Sequence, residues 1–408
     1  MKSADVQPSL SAWSCVLLAA LALAGVSCKG YTSRQISNPG PAVARLQSGG
    51  SLKAEADQLA LPLLKRHEIH SMAVGVLKAD GGVETFGYGG NPVPGPDTLF
   101  EIGSITKVFV ASVFVILVDE GKLHYDDTIR SILPPEVKVN QLVGDLTLRE
   151  LALHTAGLSR QPDTLQQLRY YIDFAFAGRN PYEYIDKPYL YRYLHTLYVE
   201  KPEDRRYEYS NIGYGVLAHL IELKTGKSLP ELVQEKICGP LNLRDTGFTW
   251  TEEQRRRAAP PHVGDAPQFL RRNRAIRDWD MGEIMRASGG MHSTIHDLLI
   301  FAQSNLGLSG LALDRQLALT HQIAFHAPEE DISPGWMINH YPEWNSNLMF
   351  MNGILSGYSA YLGMDTDKQV AVAVLVSNFN WVDKVGHNLL LRVAASSPVA
   401  KTPIPQNY

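Results

Sequence analysis

The sequence predicts an α/β fold of the α+β type: an antiparallel sheet formed by both chain ends and flanked by helices, with a mainly helical subdomain inserted between them. Three observations predict it. A strand–turn–strand pattern stands at residues 72–88, a second stands at residues 359–376, and residues 106–304 read mainly as helices and long loops. With 408 residues, 45% of them apolar, the chain can fill a large core. Its 38 Lys+Arg against 42 Asp+Glu give a formal charge of -4, which lacks the basic excess that phosphate-backbone binding needs. No nucleic acid partner is expected.

Taken in order, residues 1–28 read as an export signal. Lys2 precedes an uncharged run of 12 residues at 15–26 (CVLLAALALAGV), too short to span a bilayer. Two ends of this signal are open: a small-x-small site at Ala22-Leu23-Ala24, or a lipobox-like Val26-Ser27-Cys28 with Gly25 where a larger aliphatic residue is usual. The second end leaves a lipid-modified Cys28 as a membrane tether, and either places the chain in the periplasm or on a membrane. Residues 29–50, rich in Ser, Gly, Pro and Asn, read as a flexible linker, residues 51–398 as one domain and residues 399–408 as a tail. A helix is predicted over 52–69 from Leu52, Ala56, Leu59, Leu63 and Leu64, with Pro62 as a point of kinking. Runs 72–77 and 83–88 flank the turn composition Ala79-Asp80-Gly81-Gly82, and runs 359–364 and 370–376 flank Asp365-Thr366-Asp367-Lys368. The three cysteines, Cys15, Cys28 and Cys238, exclude a disulfide framework, and Cys238 reads as a small buried residue.

Chemistry enters at residues 100–123 (FEIGSITKVFVASVFVILVDEGKL). The run from Ser104 to Glu120 is 17 residues long and is followed by Gly121, which favours a buried helix over a strand and puts Ser104 at its start. Ser104 and Lys107, three positions apart, share a face, so hydroxyl and amine can meet. Burial disfavours the charged amine, which can then accept the serine proton, and the helix N-terminus favours developing negative charge. A Ser-x-x-Lys match turns up by chance about once in a chain of this length, so alone it means little. Tyr209-Ser210-Asn211 adds weight. These residues open a helix that ends at Gly226, and a phenol and a carboxamide at i and i+2 can point into one cleft.

Two other patterns read as ordinary. His292 and His296 have zinc-ligand spacing, but no glutamate follows His292 and no third ligand is evident, so no metal and no other cofactor is expected. Residues 170–214 hold 11 of the 18 tyrosines, interleaved with Arg169, Arg179 and Arg192, which reads as packing of amphipathic helices.

The chain resembles the serine β-lactamase and penicillin-binding protein superfamily, on the class C β-lactamase branch with its D-alanyl-D-alanine peptidase and esterase relatives. The resemblance rests on FEIGSITK at 100–107, LTLRELALHTAGL at 146–158, YSNIGY at 209–214, CGPLNLRDTGF at 238–248, SGGMHSTIHDL at 288–298 and NGILSGYS at 352–359, in family order. It implies Ser104 as the nucleophile of an acyl-enzyme, Lys107 as proton acceptor, Tyr209 as a partner in proton transfer, and Asn211 as a ligand of Lys107 and of the substrate amide. It implies Gln161 as the amide that positions the acyl group, and the backbone N–H groups of Ser104 and Ile354 as an oxyanion hole, Ile354 lying on an edge strand after Gly353. The expected substrate is a small molecule or a peptidoglycan-like peptide, a β-lactam or an ester. The alternative is a penicillin-type sensor that acylates without turnover. The third motif departs from the family pattern: Met351-Asn352-Gly353 stands where relatives have Lys-Thr-Gly or a leading His. Methionine cannot hold a carboxylate by charge, a loss of about 1.5–3 kcal/mol unless another group replaces it.

Overall fold

The computed structural model describes residues 50–399 except 163, 165–166, 168, 170–179, 181, 264–278, 329, 356 and 381–382. The expected export signal, Cys28 tether, linker up to residue 49 and tail from residue 400 lie outside the described residues, as do Tyr170, Tyr171 and Arg179.

Helix α1 (Leu52–Lys65) leads into the hairpin β1 (Ser71–Leu77) and β2 (Val83–Gly89). Ser51 caps α1 by accepting from Ala54 N–H at 3.2 Å. The helix stops short of the expected residue 69, because His67 takes a positive φ of 55°. A two-residue pair, β3 (Phe100–Glu101) with β4 (His292–Ser293), ties the entry of the nucleophile segment to the helical region. The C-terminal part supplies β5 (Phe325–His326), β6 (Asp331–Ser333), β7 (Trp336–Tyr341), β8 (Ser346–Leu355), β9 (Tyr358–Asp365) and β10 (Val370–Val376). These join the first hairpin in one eight-stranded sheet, ordered β2-β1-β10-β9-β8-β7-β6-β5, with antiparallel neighbours throughout. Both chain ends therefore build the sheet, as the two hairpin signals predict.

The inserted region holds α2 (Thr106–Asp119), α3 (Lys187–Thr196), α4 (Asn211–Thr225), α5 (Gly282–Gly289) and α6 (Ile295–Asn305), and α7 (Asp383–Ala395) closes the described chain. The sheet divides the core in two. Along β10, Val370, Val372, Val374 and Val376 face the layer formed by α1 and α7, while Ala371, Ala373 and Leu375 face the helical region. Covered on both faces, the strand is apolar at every position and shows no polar alternation. In α2 all residues from Thr106 to Leu117 are buried, and Phe109 stacks on Phe301 with ring centres 4.3 Å apart. Gly121, at φ 68°, terminates this helix where the sequence predicts. The tyrosine-rich stretch packs much as expected: Tyr182, Tyr189, Tyr193 and Tyr214 join the core, whereas Tyr198 is exposed.

One expectation is corrected. β8 is an internal strand, with β7 on one side and β9 on the other. Pairing with β7 ends at Phe350, however, while pairing with β9 runs on to Leu355. The strand thus has a free side only over its last residues, and the nucleophile segment packs there.

Candidate active site

Ser104 sits on a 3-10 turn, Gly103–Ile105, one turn before the α-helix that the sequence predicts it to begin. Gly103 makes this turn possible, because its φ is 49° and a Cβ there would lie 2.6 Å from Ile354 N. Gly353 answers from β8: a Cβ on it would lie 2.0 Å from Ile102 O and 3.1 Å from Ser104 N. Two glycines therefore let the strand and the turn touch, which sets the Ile354 amide beside the turn carrying Ser104. That brings the backbone N–H groups of Ser104 and Ile354 close together.

Lys107 follows on the first turn of α2 and is fully buried. Its Nζ lies 3.0 Å from Ser104 Oγ, 2.8 Å from Asn211 Oδ1 and 2.6 Å from the Ser288 carbonyl oxygen. Asn211 is the first residue of α4, and the Ser288 carbonyl belongs to the last turn of α5, where carbonyls lack partners within the helix. Burial pushes the Lys107 pKa well below its ordinary value, and the charge of Arg160 pushes it further down. A neutral amine has two N–H donors and one lone pair. The Asn211 and Ser288 oxygens accept the two donors, which leaves the lone pair for the Ser104 hydroxyl.

Tyr209 reaches the same point from the loop before α4, where the Ser104 hydroxyl acts on its phenol. Its ring centre is 4.8 Å from Lys107 Nζ and 5.0 Å from the Arg160 guanidinium carbon. Burial raises the phenol pKa, while Arg160 and the Ser104 hydroxyl act against that rise. The loop is pinned from below. His154 Nδ1 accepts the Ser210 N–H at 3.0 Å, its ring stacks on Tyr209 at 4.4 Å, and burial holds the imidazole neutral. Ser210 Oγ donates to Ser159 O at 2.9 Å and accepts from Gly213 N–H at 2.9 Å, capping α4. Tyr214, one turn on, donates to Ala152 O at 3.0 Å.

Gln161 and Asn352 are side-chain amides expected to bind substrate. Gln161 donates from Nε2 to Tyr182 Oη at 2.9 Å, and its Oε1 is buried without a partner among the described residues. Asn352 Oδ1, two residues before Ile354, is likewise buried without a partner among the described residues. Met351 is 2% exposed and belongs to the core on the helical side of the sheet. Sequence reasoning missed the Ser288 carbonyl, His154 and Arg160. All three lie in or beside segments quoted for the resemblance, but no residue pattern marks a carbonyl or a supporting ring. His292 and His296 do not converge: His292 is buried against Trp250 at 4.1 Å, with burial pulling its pKa down to about 4, and His296 is exposed beside Asp97. Among the described residues no three His, Cys, Asp or Glu side chains are arranged to hold a metal ion.

The model of the beta-lactamase family matches residues 56–396. The chain belongs to the beta-lactamase family. It is 25% identical over 303 residues to the D-alanyl-D-alanine-carboxypeptidase/endopeptidase AmpH of Escherichia coli K12, a match covering 71% of this chain and 73% of that one. It is 30% identical over 220 residues to the unguisins hydrolase ungD' of Aspergillus campestris, covering 49% of this chain and 37% of that one. A class C beta-lactamase structure matches with a TM-score of 0.71 at 20% identity, over 86% of this chain and 97% of that chain. The octameric penicillin-binding protein homologue from Pyrococcus abyssi matches with a TM-score of 0.69 at 23% identity, over 82% of this chain and 76% of that chain. Both structures share the fold, a large antiparallel sheet flanked by helices. The beta-lactamase family is one of serine hydrolases.

Proposed function

We propose that this chain hydrolyses an amide or ester carbonyl through an acyl-enzyme on Ser104. The observation that carries the reading is the buried Lys107 amine, held by two acceptors with the Ser104 hydroxyl at 3.0 Å. The Ser104 proton passes to Lys107 Nζ as Oγ bonds to the carbonyl carbon. The resulting oxyanion is held by the Ser104 and Ile354 N–H groups. Collapse of the tetrahedral species breaks the bond to the leaving group, which takes its proton through the Tyr209 phenol. Water, deprotonated by the same pair, then releases the acyl group and restores the hydroxyl.

The unpartnered oxygens of Gln161 and Asn352 support an amide N–H in the substrate, as in a cell-wall-type D-amino-acid peptide or a β-lactam side chain. The name of the Escherichia coli relative supports the peptide, and the apolar residue at 351 weighs against efficient β-lactam turnover. We read residues 1–28 as directing export, with Cys28 available for lipidation.

The test is mass spectrometry of the intact protein with a β-lactam and, separately, an activated ester, followed by steady-state turnover. Acylation at Ser104 with release, and loss of turnover by at least about 1,000-fold in Ser104→Ala, are the expected results. Unchanged turnover in Ser104→Ala rejects the assignment. One equivalent of stable adduct without release favours a sensor.

A further inference from the structure

Arg160 stands out among the arginines near the cleft. Arg149, Arg205 and Arg257 are paired with Asp126, Glu150 and Asp245 respectively. The Arg160 guanidinium makes no ion pair and no hydrogen bond among the described residues; its contact is the Tyr209 ring at 5.0 Å. The position is fixed from the backbone, since Arg160 O accepts the Asn211 N–H at 2.9 Å, next to the residue that holds Lys107. Arg160 is half-buried, so its five N–H donors are partly desolvated, and among the described residues no carboxylate bonds them, although the Glu330 charge also reaches Tyr209. Its charge reaches the chemistry: it acts against protonation of Lys107 and His154 and in favour of Tyr209 ionisation. A cation kept without a counter-ion beside a nucleophile is balanced when the ligand brings the negative charge. Position 351, where relatives carry Lys or His, offers only a buried methionine for that task.

We infer that Arg160 is the anion-binding group of this site, taking a carboxylate of the substrate through its guanidinium fork and doing the work that Met351 cannot. The substrate class is an amide or ester that carries a free carboxylate near the scissile bond. The inference rests on the acyl-enzyme reading above and narrows it.

The experiment compares an aryl ester bearing a ring carboxylate with its neutral carboxamide analogue, in wild type, Arg160→Gln and Arg160→Lys. Wild type is expected to prefer the carboxylate ester. Arg160→Gln is expected to lower kcat/KM for that ester by roughly 10- to 100-fold more than for the neutral one, mostly through KM, and Arg160→Lys to keep part of the preference. Equal losses on both esters, or no preference in wild type, overturn the inference. Binding of the carboxylate ester to Ser104→Ala, with and without Arg160→Gln, reads the same contact without turnover. An affinity that ignores Arg160 overturns the inference there too. Failure of wild-type Ser104 to acylate rejects the hydrolase reading instead, and leaves the binding measurement to decide on Arg160.

Discussion

Lys107 and Arg392 are both buried basic side chains, 0% and 3% exposed, set on opposite faces of one sheet. Arg392 on α7 pairs with the buried Glu55 of α1 at 2.5 Å, which joins the two ends of the described chain. Lys107 forms no ion pair among the described residues; it bonds a hydroxyl, a carboxamide and a peptide carbonyl and lies over the rings of Tyr209 and Tyr214. The difference separates two uses of burial. A buried cation given a carboxylate keeps its charge and fixes the packing of two helices. A buried amine denied one is pushed toward its neutral form and becomes a base.

The sharpest way to break this comparison is to exchange each group for methionine. Lys107→Met is expected to lower turnover by at least about 1,000-fold with stability equal to or above wild type, since no charge is left unpaired. Arg392→Met is expected to do the reverse, destabilising the fold by about 3–5 kcal/mol by orphaning Glu55 while activity per folded molecule persists. Urea unfolding together with kinetics on both variants checks the pair; a large stability loss in Lys107→Met contradicts it. Next in size is Gly353→Ala. The added methyl meets Ile102 O, separates the two amides, and is expected to lower kcat by about 100-fold or more.

Titration sharpens the same contrast. Activity needs neutral Lys107, so kcat/KM is expected to rise with pH through a pKa below the ordinary lysine value. For stability, the unfolded chain binds the Lys107 proton more tightly than the folded one. Folding is therefore favoured as pH rises from the depressed folded pKa towards the ordinary lysine value, and the Lys107→Met variant is expected to lose that slope. A rate profile flat up to pH 10 or a slope unchanged in the variant contradicts the assignment. The smallest effect belongs to Met351→Leu, expected to change stability by less than about 1.5 kcal/mol and turnover little, as fits a packing residue. A large loss of turnover there assigns Met351 a direct part in the cleft.

Much of the site was legible because it obeys local periods. Ser104 and Lys107 meet because three positions span most of a helical turn, even though the first of them sits on a 3-10 turn. Tyr209 and Asn211 were legible as a loop entering a helix, and their convergence on Lys107 came from the resemblance. Strands β5 to β7 were missed, being short and without steady alternation, although Pro334-Gly335 between Ser333 and Trp336 is a turn signal. The Ser288 carbonyl could not be found, because every residue has one and only packing selects which helix end points at the amine.

By itself the sequence determined the hairpins of the sheet, the apolar helix behind Ser104 and the residue types able to move a proton, since these follow from side-chain spacing within one segment. Only the tertiary structure decided that β8 frees its edge where Gly103 needs room and that, among the described residues, Lys107 is buried without a carboxylate and Arg160 is bonded to none. Those are properties of contacts between segments far apart in the chain. Local spacing says nothing of which charge lies next to which, and proximity through a low-dielectric interior is what turns an ordinary lysine into a base.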